Sequence, residues 1–172
     1  MPRTIDFTSL DLQDALDLAI LIEEEARERY EDFAKQAGGR YEGDAGDIFK
    51  QMAVYEAKHE RELIAKRKDL FGSAPVRVTA DMFSDVEAPG LDKPRAFMSA
   101  RKAMLVALES ETKAWEFYDG AIKAVKDAKV RELFEELRDE EVLHQGTLKQ
   151  YLAKTPEGPD VEDEGADEPP AL

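Results

Sequence analysis

The sequence contains two histidines, and each stands three residues after a glutamate in a stretch with helical spacing. Glu56 and His59 lie in "YEAKHE", and Glu141 and His144 lie in "EEVLH". Side chains three apart on a helix differ by about 60° around the axis and by ~4.5 Å along it, so each pair projects from one face. Carboxylate and imidazole groups placed in this way suit a divalent metal ion. A single pair of this kind is most often solvated, so the surroundings of the two pairs must decide.

Two further helical segments each contain one glutamate within an otherwise apolar stripe. Glu23 and Glu111 occupy these positions, and Tyr30 and Tyr118 follow seven residues later on the same faces, two turns along. The first and third stripes superpose at an offset of 88 residues, and the second and fourth at 85. The chain is therefore a duplicated helical hairpin. Six side chains are predicted to face one core: Glu23, Glu56, His59, Glu111, Glu141 and His144.

Four carboxylates in an apolar core require neutralisation. Two carboxylates ~4 Å apart repel by roughly 4 kcal/mol at an effective dielectric constant near 20, and burial adds several kcal/mol for each. Two divalent cations would cancel the four charges, and neutral imidazoles would complete the ligand set known from di-iron and di-manganese carboxylate bundles. Oxygen-rich ligation suits two iron ions, with manganese or zinc possible. Tyr30 and Tyr118 are predicted to donate to a carboxylate across the bundle as supporting groups.

The elements that position these residues are four long amphipathic helices, and no strand is predicted. Their connections differ in length, because the second is over twenty residues long and can reach ~70 Å at about 3.3 Å per residue. Two hairpins joined by one long crossover form an all-α, ferritin-like four-helix bundle. The predicted helices run from Asp11 to Gly38-Gly39, from Asp44 or Asp47 to Phe71-Gly72, from Asp92-Lys93-Pro94 to Lys126, and from Asp127 to Lys154.

We predict one bundle domain over residues 1–154 and a disordered tail over residues 155–172. The tail contains seven acidic residues, no basic ones and four prolines, and such a segment cannot bury enough apolar surface to become ordered.

Glu24, Glu25 and Glu140 adjoin the proposed ligands but point away from their stripes, so they are predicted to be solvated.

Composition excludes several classes of function. The net charge of -15 argues against nucleic-acid and anionic-membrane partners, which require a basic surface. The absence of cysteine excludes disulfides, thiolate zinc sites, iron–sulfur clusters and thiol catalysis. The sequence shows neither a secretory signal nor the ~20 apolar residues of a membrane span, and we expect a cytoplasmic protein.

Four segments, in order, resemble the helices of the rubrerythrin-like branch of the ferritin-like superfamily: "EEEARERY" at 23–30, "YEAKH" at 55–59, "ESETKAWEFY" at 109–118 and "EEVLH" at 140–144. The resemblance implies that the six core-facing residues are di-iron ligands. Two departures stand out. A chain without cysteine has no rubredoxin domain, so an external electron donor protein is expected. Ala114 also stands where rubrerythrins place an extra glutamate, which implies a symmetric six-ligand set.

The leading hypothesis is therefore a di-iron oxidoreductase that reacts with hydrogen peroxide or dioxygen. A ferroxidase that acts on ferrous iron for storage or delivery is the first alternative. A bundle in which the metals are purely structural, and an enzyme with an organic substrate, are the others. The long crossover also permits hairpins to exchange between subunits, so a homodimer is expected, and its sites would then be assembled from two chains.

Overall fold

The computed structural model describes residues 5–83, 86–90 and 97–156. In these ranges the chain forms four α-helices and one short 3₁₀ turn, Ala80–Met82, and no strand. The all-α prediction is confirmed. The four helices are of similar length, from 25 to 27 residues: α1 Leu12–Ala37, α2 Ala45–Phe71, α3 Ala100–Ala124 and α4 Ala128–Lys154.

Each helix begins at a side chain that accepts a hydrogen bond from the first turn, which satisfies backbone N–H groups that lack a helical partner. Asp11 accepts from the amide of Asp14 at the start of α1. The other three N-caps act in the same way: Asp44 for α2, Ser99 for α3 and Asp127 for α4.

The predicted start of α3 at Asp92-Lys93-Pro94 is wrong. Residues 91–96 lie outside the described ranges, but the residues just before Ala100 are not helical, and the cap is Ser99, which accepts from the amide of Lys102 at 3.1 Å. The helix begins at the capping hydroxyl of Ser99. The proline did not mark the start, because Pro is also compatible with a turn outside a helix.

The core is divided into two apolar clusters at opposite ends of the bundle. One cluster combines the beginnings of α1 and α4 with the ends of α2 and α3, and the other combines the opposite ends. Helices α1 and α4 therefore run in one direction and α2 and α3 in the other. Helix α1 packs on α2 and α3 packs on α4, and the hairpins approach each other mainly through α2 and α3.

The crossover must travel from one end of the bundle to the other, because α2 ends where α3 does. Its described middle section, residues 86–90, is held from two sides. Arg29 of α1 donates from Nη1 to the carbonyl of Pro89 at 2.8 Å, and Lys113 of α3 donates from Nζ to the carbonyl of Ala88 at 3.0 Å. This section thus lies between α1 and α3.

The remaining expectations about the ends of the chain are only partly covered. Helix α4 ends at Lys154, as predicted, whereas most of the proposed tail, from residue 157 onward, lies outside the described residues. No helix in the described ranges combines the length and the apolar character that a membrane crossing requires.

Candidate metal centre

The six predicted residues meet between the two apolar clusters, halfway along the bundle. All are buried except His144, which is partly exposed. They form two groups, one in each hairpin, in which one ligand atom from each residue lies within 4.8 Å of the others: Glu23, Glu56 and His59; Glu111, Glu141 and His144. Two ligand atoms on opposite sides of one ion, each at about 2.1 Å, are about 4.2 Å apart. Each group therefore has dimensions that a single cation can bridge.

The two histidines lie face to face between the hairpins. Their ring centroids are 4.8 Å apart and the rings are nearly parallel, at 5°. Nδ1 of His144 lies 2.8 Å from Oε2 of Glu111, and Nδ1 of His59 lies 3.7 Å from Oε2 of Glu23. Each imidazole is thus beside the lone glutamate of its own hairpin, as the duplicated sequence pattern predicts.

A seventh residue, Glu87, enters the site from the crossover. Its side chain is 1% exposed, and an oxygen of Glu87 lies within 4.8 Å of oxygens from Glu56 and Glu111. Sequence reasoning missed this residue and expected a symmetric set of six. The local signal was an acidic residue between apolar neighbours in "DVEAPG", but loop glutamates are normally solvated, so the pattern alone did not distinguish it.

Several carboxylate oxygens in the site accept no hydrogen bond from any described residue. They are Oε2 of Glu23, Oε2 of Glu141, and both oxygens of Glu56 and of Glu87. Buried polar atoms are rarely left without a partner, because the loss of solvation costs about 1–3 kcal/mol for each group and more for a charge. A donor set of five carboxylates and two imidazoles with unsatisfied oxygens fits divalent cations well.

The same crowding raises the affinity of the carboxylates for protons. Burial, followed by repulsion from neighbouring carboxylates, raises the pKa of Glu56, Glu87 and Glu141 well above the ordinary value. Burial opposes the charged form of His59, but the contact with Glu23 outweighs it and raises the pKa of this imidazole. Glu56 also lies against the carboxyls of Glu23 and Glu87, a contact that is a hydrogen bond only while one partner is protonated.

The two predicted supporting tyrosines are both fully buried but differ in their contacts. Tyr30 donates from its hydroxyl to Oε1 of Glu111 at 3.4 Å, across the bundle between hairpins. The hydroxyl of Tyr118 makes no hydrogen bond with any described residue. Burial and the nearby carboxylates raise the pKa of both phenols well above the ordinary value. Tyr30 is therefore a protonated donor, and the two halves are not equivalent.

A cavity of about 470 Å³ opens between α2 and α4, on the side of the site away from the crossover. His59 and His144 form part of its wall, and Tyr55 stacks on His144 with ring centroids 6.0 Å apart. Its remaining wall is mostly apolar, from residues such as Met52 and Leu148. This cavity is the approach to the candidate ligands from solvent.

Glu140 differs from the sequence prediction of a solvated side chain. It is half-buried and lines the same cavity, where burial raises its pKa even though His59 and His144 lower it. The turn that presents His144 to the cavity also brings its neighbour Glu140 to the edge. Glu24 and Glu25 are half-buried as well, and Glu25 pairs with Arg29 at 3.1 Å.

Comparison with known proteins adds an independent line of evidence. A family model described as Rubrerythrin matches residues 14–152. An uncharacterised conserved protein from Magnetospirillum magnetotacticum MS-1 has a similar structure, with a TM-score of 0.67, 23% identity, and 87% of this chain and 98% of that chain covered. A hypothetical protein from Pyrococcus furiosus has a TM-score of 0.54 and 23% identity, with 84% and 89% covered. A comparison with curated proteins found no match.

Proposed function

Because the chain belongs to the rubrerythrin family, we propose that it is a non-haem di-iron oxidoreductase that reacts with hydrogen peroxide or dioxygen. The observation that supports this most strongly is the pair of Glu/His groups, related by the internal duplication and joined by Glu56. Glu56 lies within 4.8 Å of both Glu23 in its own hairpin and Glu111 in the other. A carboxylate between two cation-sized groups would be available to both ions.

The proposed assignment gives each side chain one role. Glu23 and His59 would hold the first ion and Glu111 and His144 the second, with Glu56 and Glu141 as the remaining ligands. When bound, an iron pair supplies two electrons in going from the ferrous to the ferric state, which together with two protons reduces hydrogen peroxide to two water molecules. Manganese or zinc would suit the same donors.

The surrounding residues orient the proposed ligands and limit the access of water to the site. Tyr30 donates to Glu111 and so fixes the orientation of that carboxylate. The apolar clusters cover the site from both ends, and the crossover covers it between α1 and α3. The cavity between α2 and α4 leaves a route for a small oxidant past His59 and His144.

Continued turnover requires electrons from outside this chain. The sequence contains no cysteine, so it has no thiolate-ligated iron site of its own, and we propose an external electron donor protein. The proposed small-molecule partners are ferrous iron and hydrogen peroxide or dioxygen.

The test is anaerobic loading with ferrous iron followed by stopped-flow absorption spectroscopy with peroxide and with dioxygen separately. We expect two irons per chain and oxidation by at least one oxidant. Faster oxidation by peroxide would support the peroxidase reaction, and faster oxidation by dioxygen would favour a ferroxidase. A ferrous pair that is inert to both would contradict the proposal and leave a structural metal site.

Two variants distinguish metal binding at the proposed site from nonspecific binding to acidic side chains. Glu111→Ala removes a proposed ligand, and we expect it to lower the bound iron to one per chain or fewer. Glu132→Gln removes an exposed acidic side chain from α4 and should bind two. Equal iron content in these two variants would count against the assigned ligands.

The size of the cavity favours a second candidate, an oxidase or oxygenase with an organic substrate. A volume of about 470 Å³ is far more than a peroxide molecule occupies and lies in the range of small-molecule sites, about 300–1,000 Å³. The variant Leu148→Trp would fill part of it. If peroxide oxidises iron in the variant at the wild-type rate, the volume is not needed for peroxide, and apolar small molecules become the substrates to screen.

A further inference from the structure

Glu87 is the one residue of the site that no helix supplies and that the six-ligand arrangement does not use. It is 1% exposed, and neither of its carboxylate oxygens has a hydrogen-bond partner among the described residues. The two cationic side chains that clamp this segment, Arg29 and Lys113, donate to the backbone carbonyls of its neighbours. A buried acidic side chain in this state destabilises a protein unless something else compensates it.

The backbone around Glu87 is held from two helices, and its side chain points inward. Its neighbours Val86 and Ala88 are buried, at 8% and 1% exposure. The clamps from Arg29 on α1 and Lys113 on α3 hold the two carbonyls that follow it. A glutamate in a loop normally faces solvent. An inward-pointing glutamate whose backbone is held by two helices is therefore an unusual arrangement.

The side chain reaches one particular part of the site. Its oxygen lies within 4.8 Å of oxygens from Glu56 and Glu111, which belong to different hairpins. This third group contains only carboxylates, and hard oxygen donors of this kind favour iron or manganese over softer metals. It is on the crossover side, opposite the cavity that the two histidines line.

We propose that Glu87 is a further metal-binding residue, supplied by the crossover where Glu56 and Glu111 meet, and that metal binding holds the crossover between α1 and α3. This inference rests on the proposed di-metal site. It also changes the charge of that site. Five carboxylates give five negative charges, one more than two divalent cations neutralise and one fewer than two trivalent cations supply.

The test uses metal-free protein titrated with Co²⁺, whose visible absorption reports the number and type of its ligands. The wild type, Glu87→Gln and the charge-matched control Glu132→Gln, whose side chain is exposed on α4, are compared. Changes to groups around metal ligands typically cost 10–100-fold in affinity, so we expect Glu87→Gln to weaken one of the two ions at least ~10-fold and to change its spectrum. Glu132→Gln should weaken binding by less than ~3-fold on the same scale.

Thermal melting of the same samples distinguishes a ligand from a packing residue. Without metal, Glu87→Gln should melt above the wild type, because a buried and repelled charge has been removed. With Co²⁺, its melting temperature should rise less than that of the wild type. A variant that melts lower without metal, and gains as much from Co²⁺ as the wild type, would overturn the inference and leave a structural role.

Amide hydrogen exchange tests the second half of the proposal. Co²⁺ should slow exchange across residues 86–90 in the wild type and much less in Glu87→Gln. If the wild type fails to bind two Co²⁺ ions, the di-metal function itself is wrong. If both proteins bind two ions with equal affinity and equal protection of the crossover, only the role of Glu87 is wrong.

Discussion

At the scale of single residues, the two buried tyrosines differ in a way that tests which groups orient the proposed ligands. Tyr30 donates to Glu111, whereas the hydroxyl of Tyr118 has no partner in the described structure. Both side chains are fully buried, so changing either to Phe removes one buried hydroxyl oxygen. Only one of the two changes removes a hydrogen bond to a proposed ligand.

We therefore expect Tyr30→Phe to weaken metal binding by about 10-fold, the lower end of the range for groups that orient ligands. Its free energy of unfolding without metal should fall by about 0.5–1.5 kcal/mol, the usual worth of a hydrogen bond. Tyr118→Phe should leave metal affinity within about 3-fold of the wild type. Isothermal titration with Co²⁺ and urea unfolding measure the two quantities. Equal losses in both variants would mean that the bond to Glu111 does not orient the ligand.

The crowded carboxylates predict an unusual dependence of stability on pH. Burial and mutual repulsion raise the pKa of Glu56, Glu87 and Glu141 in the folded, metal-free protein, whereas the unfolded value is about 4.3. A raised pKa means that folding is favoured while the group is protonated and that this contribution is lost as pH rises through the folded pKa. The metal-free protein should therefore melt higher at pH 5 than at pH 8.

The metal-loaded protein should behave in the opposite way, because metal binding requires deprotonated carboxylates and neutral imidazoles. Melting curves at pH 5, 6.5 and 8, with and without Co²⁺, measure both trends. The variant Glu56→Gln, which lacks one of the titrating groups, should show a smaller slope without metal. Parallel slopes with and without metal would contradict the prediction.

At the scale of the elements, the turn between α1 and α2 depends on a close approach of two glycines. A Cβ added to Gly46 would run into Cα of Gly38 and lie 3.0 Å from the carbonyl oxygen of Ala34. Both neighbours are backbone atoms, which cannot rotate away. The first hairpin can therefore close only with glycine at this point.

Gly46→Ala should lower the free energy of unfolding by about 3 kcal/mol, at the upper end for overpacking, although alanine is the better helix former. Gly120→Ala on α3 is the control, because a Cβ there meets nothing within 4 Å. It should raise the free energy of unfolding by up to ~1 kcal/mol, as expected for Gly to Ala in a helix. Urea unfolding of the metal-free proteins measures both, and a stabilised Gly46→Ala would show that the hairpin can open without cost.

The helices and the six residues that meet between them were predictable because each depends on a periodic signal. The duplicated spacing placed Glu23 and Glu111 on core faces, and capping residues such as Asp11 and Asp127 marked where helices begin. Glu87 was not predictable, because its position depends on clamps from Arg29 and Lys113 that lie far away in the sequence. The cavity at Glu140 likewise depends on how α2 and α4 are placed relative to each other. The spacing of residues within one helix does not predict that placement.

At the scale of the whole molecule, the six proposed ligands come together within one chain. The predicted homodimer, with or without exchanged hairpins, stays a prediction. Mixing Glu23→Ala with Glu141→Ala tests the exchange, because each variant lacks a ligand from a different hairpin. If hairpins exchange, mixed dimers recover one complete site and part of the metal binding. If each chain binds metal alone, mixing restores nothing, and equilibrium dialysis distinguishes the two results.

The proposed division into a bundle and an acidic tail is also testable. A chain that ends after Pro156 keeps the carbonyl of Thr155, to which Arg101 donates at 2.8 Å. We expect it to melt within about 1 °C of the full chain and to bind metal with the same affinity, because a disordered segment adds no packing. A clear loss of stability would place part of the tail against the bundle.

The two apolar clusters at opposite ends have a mechanical consequence. Each end of the bundle is secured by its own interlocking of side chains, as at Phe33 with Phe49 and at Tyr118 with Phe134. The apolar packing at the two ends therefore does not depend on the acidic residues between them. A substitution among those acidic residues should therefore leave the aromatic contacts at both ends intact.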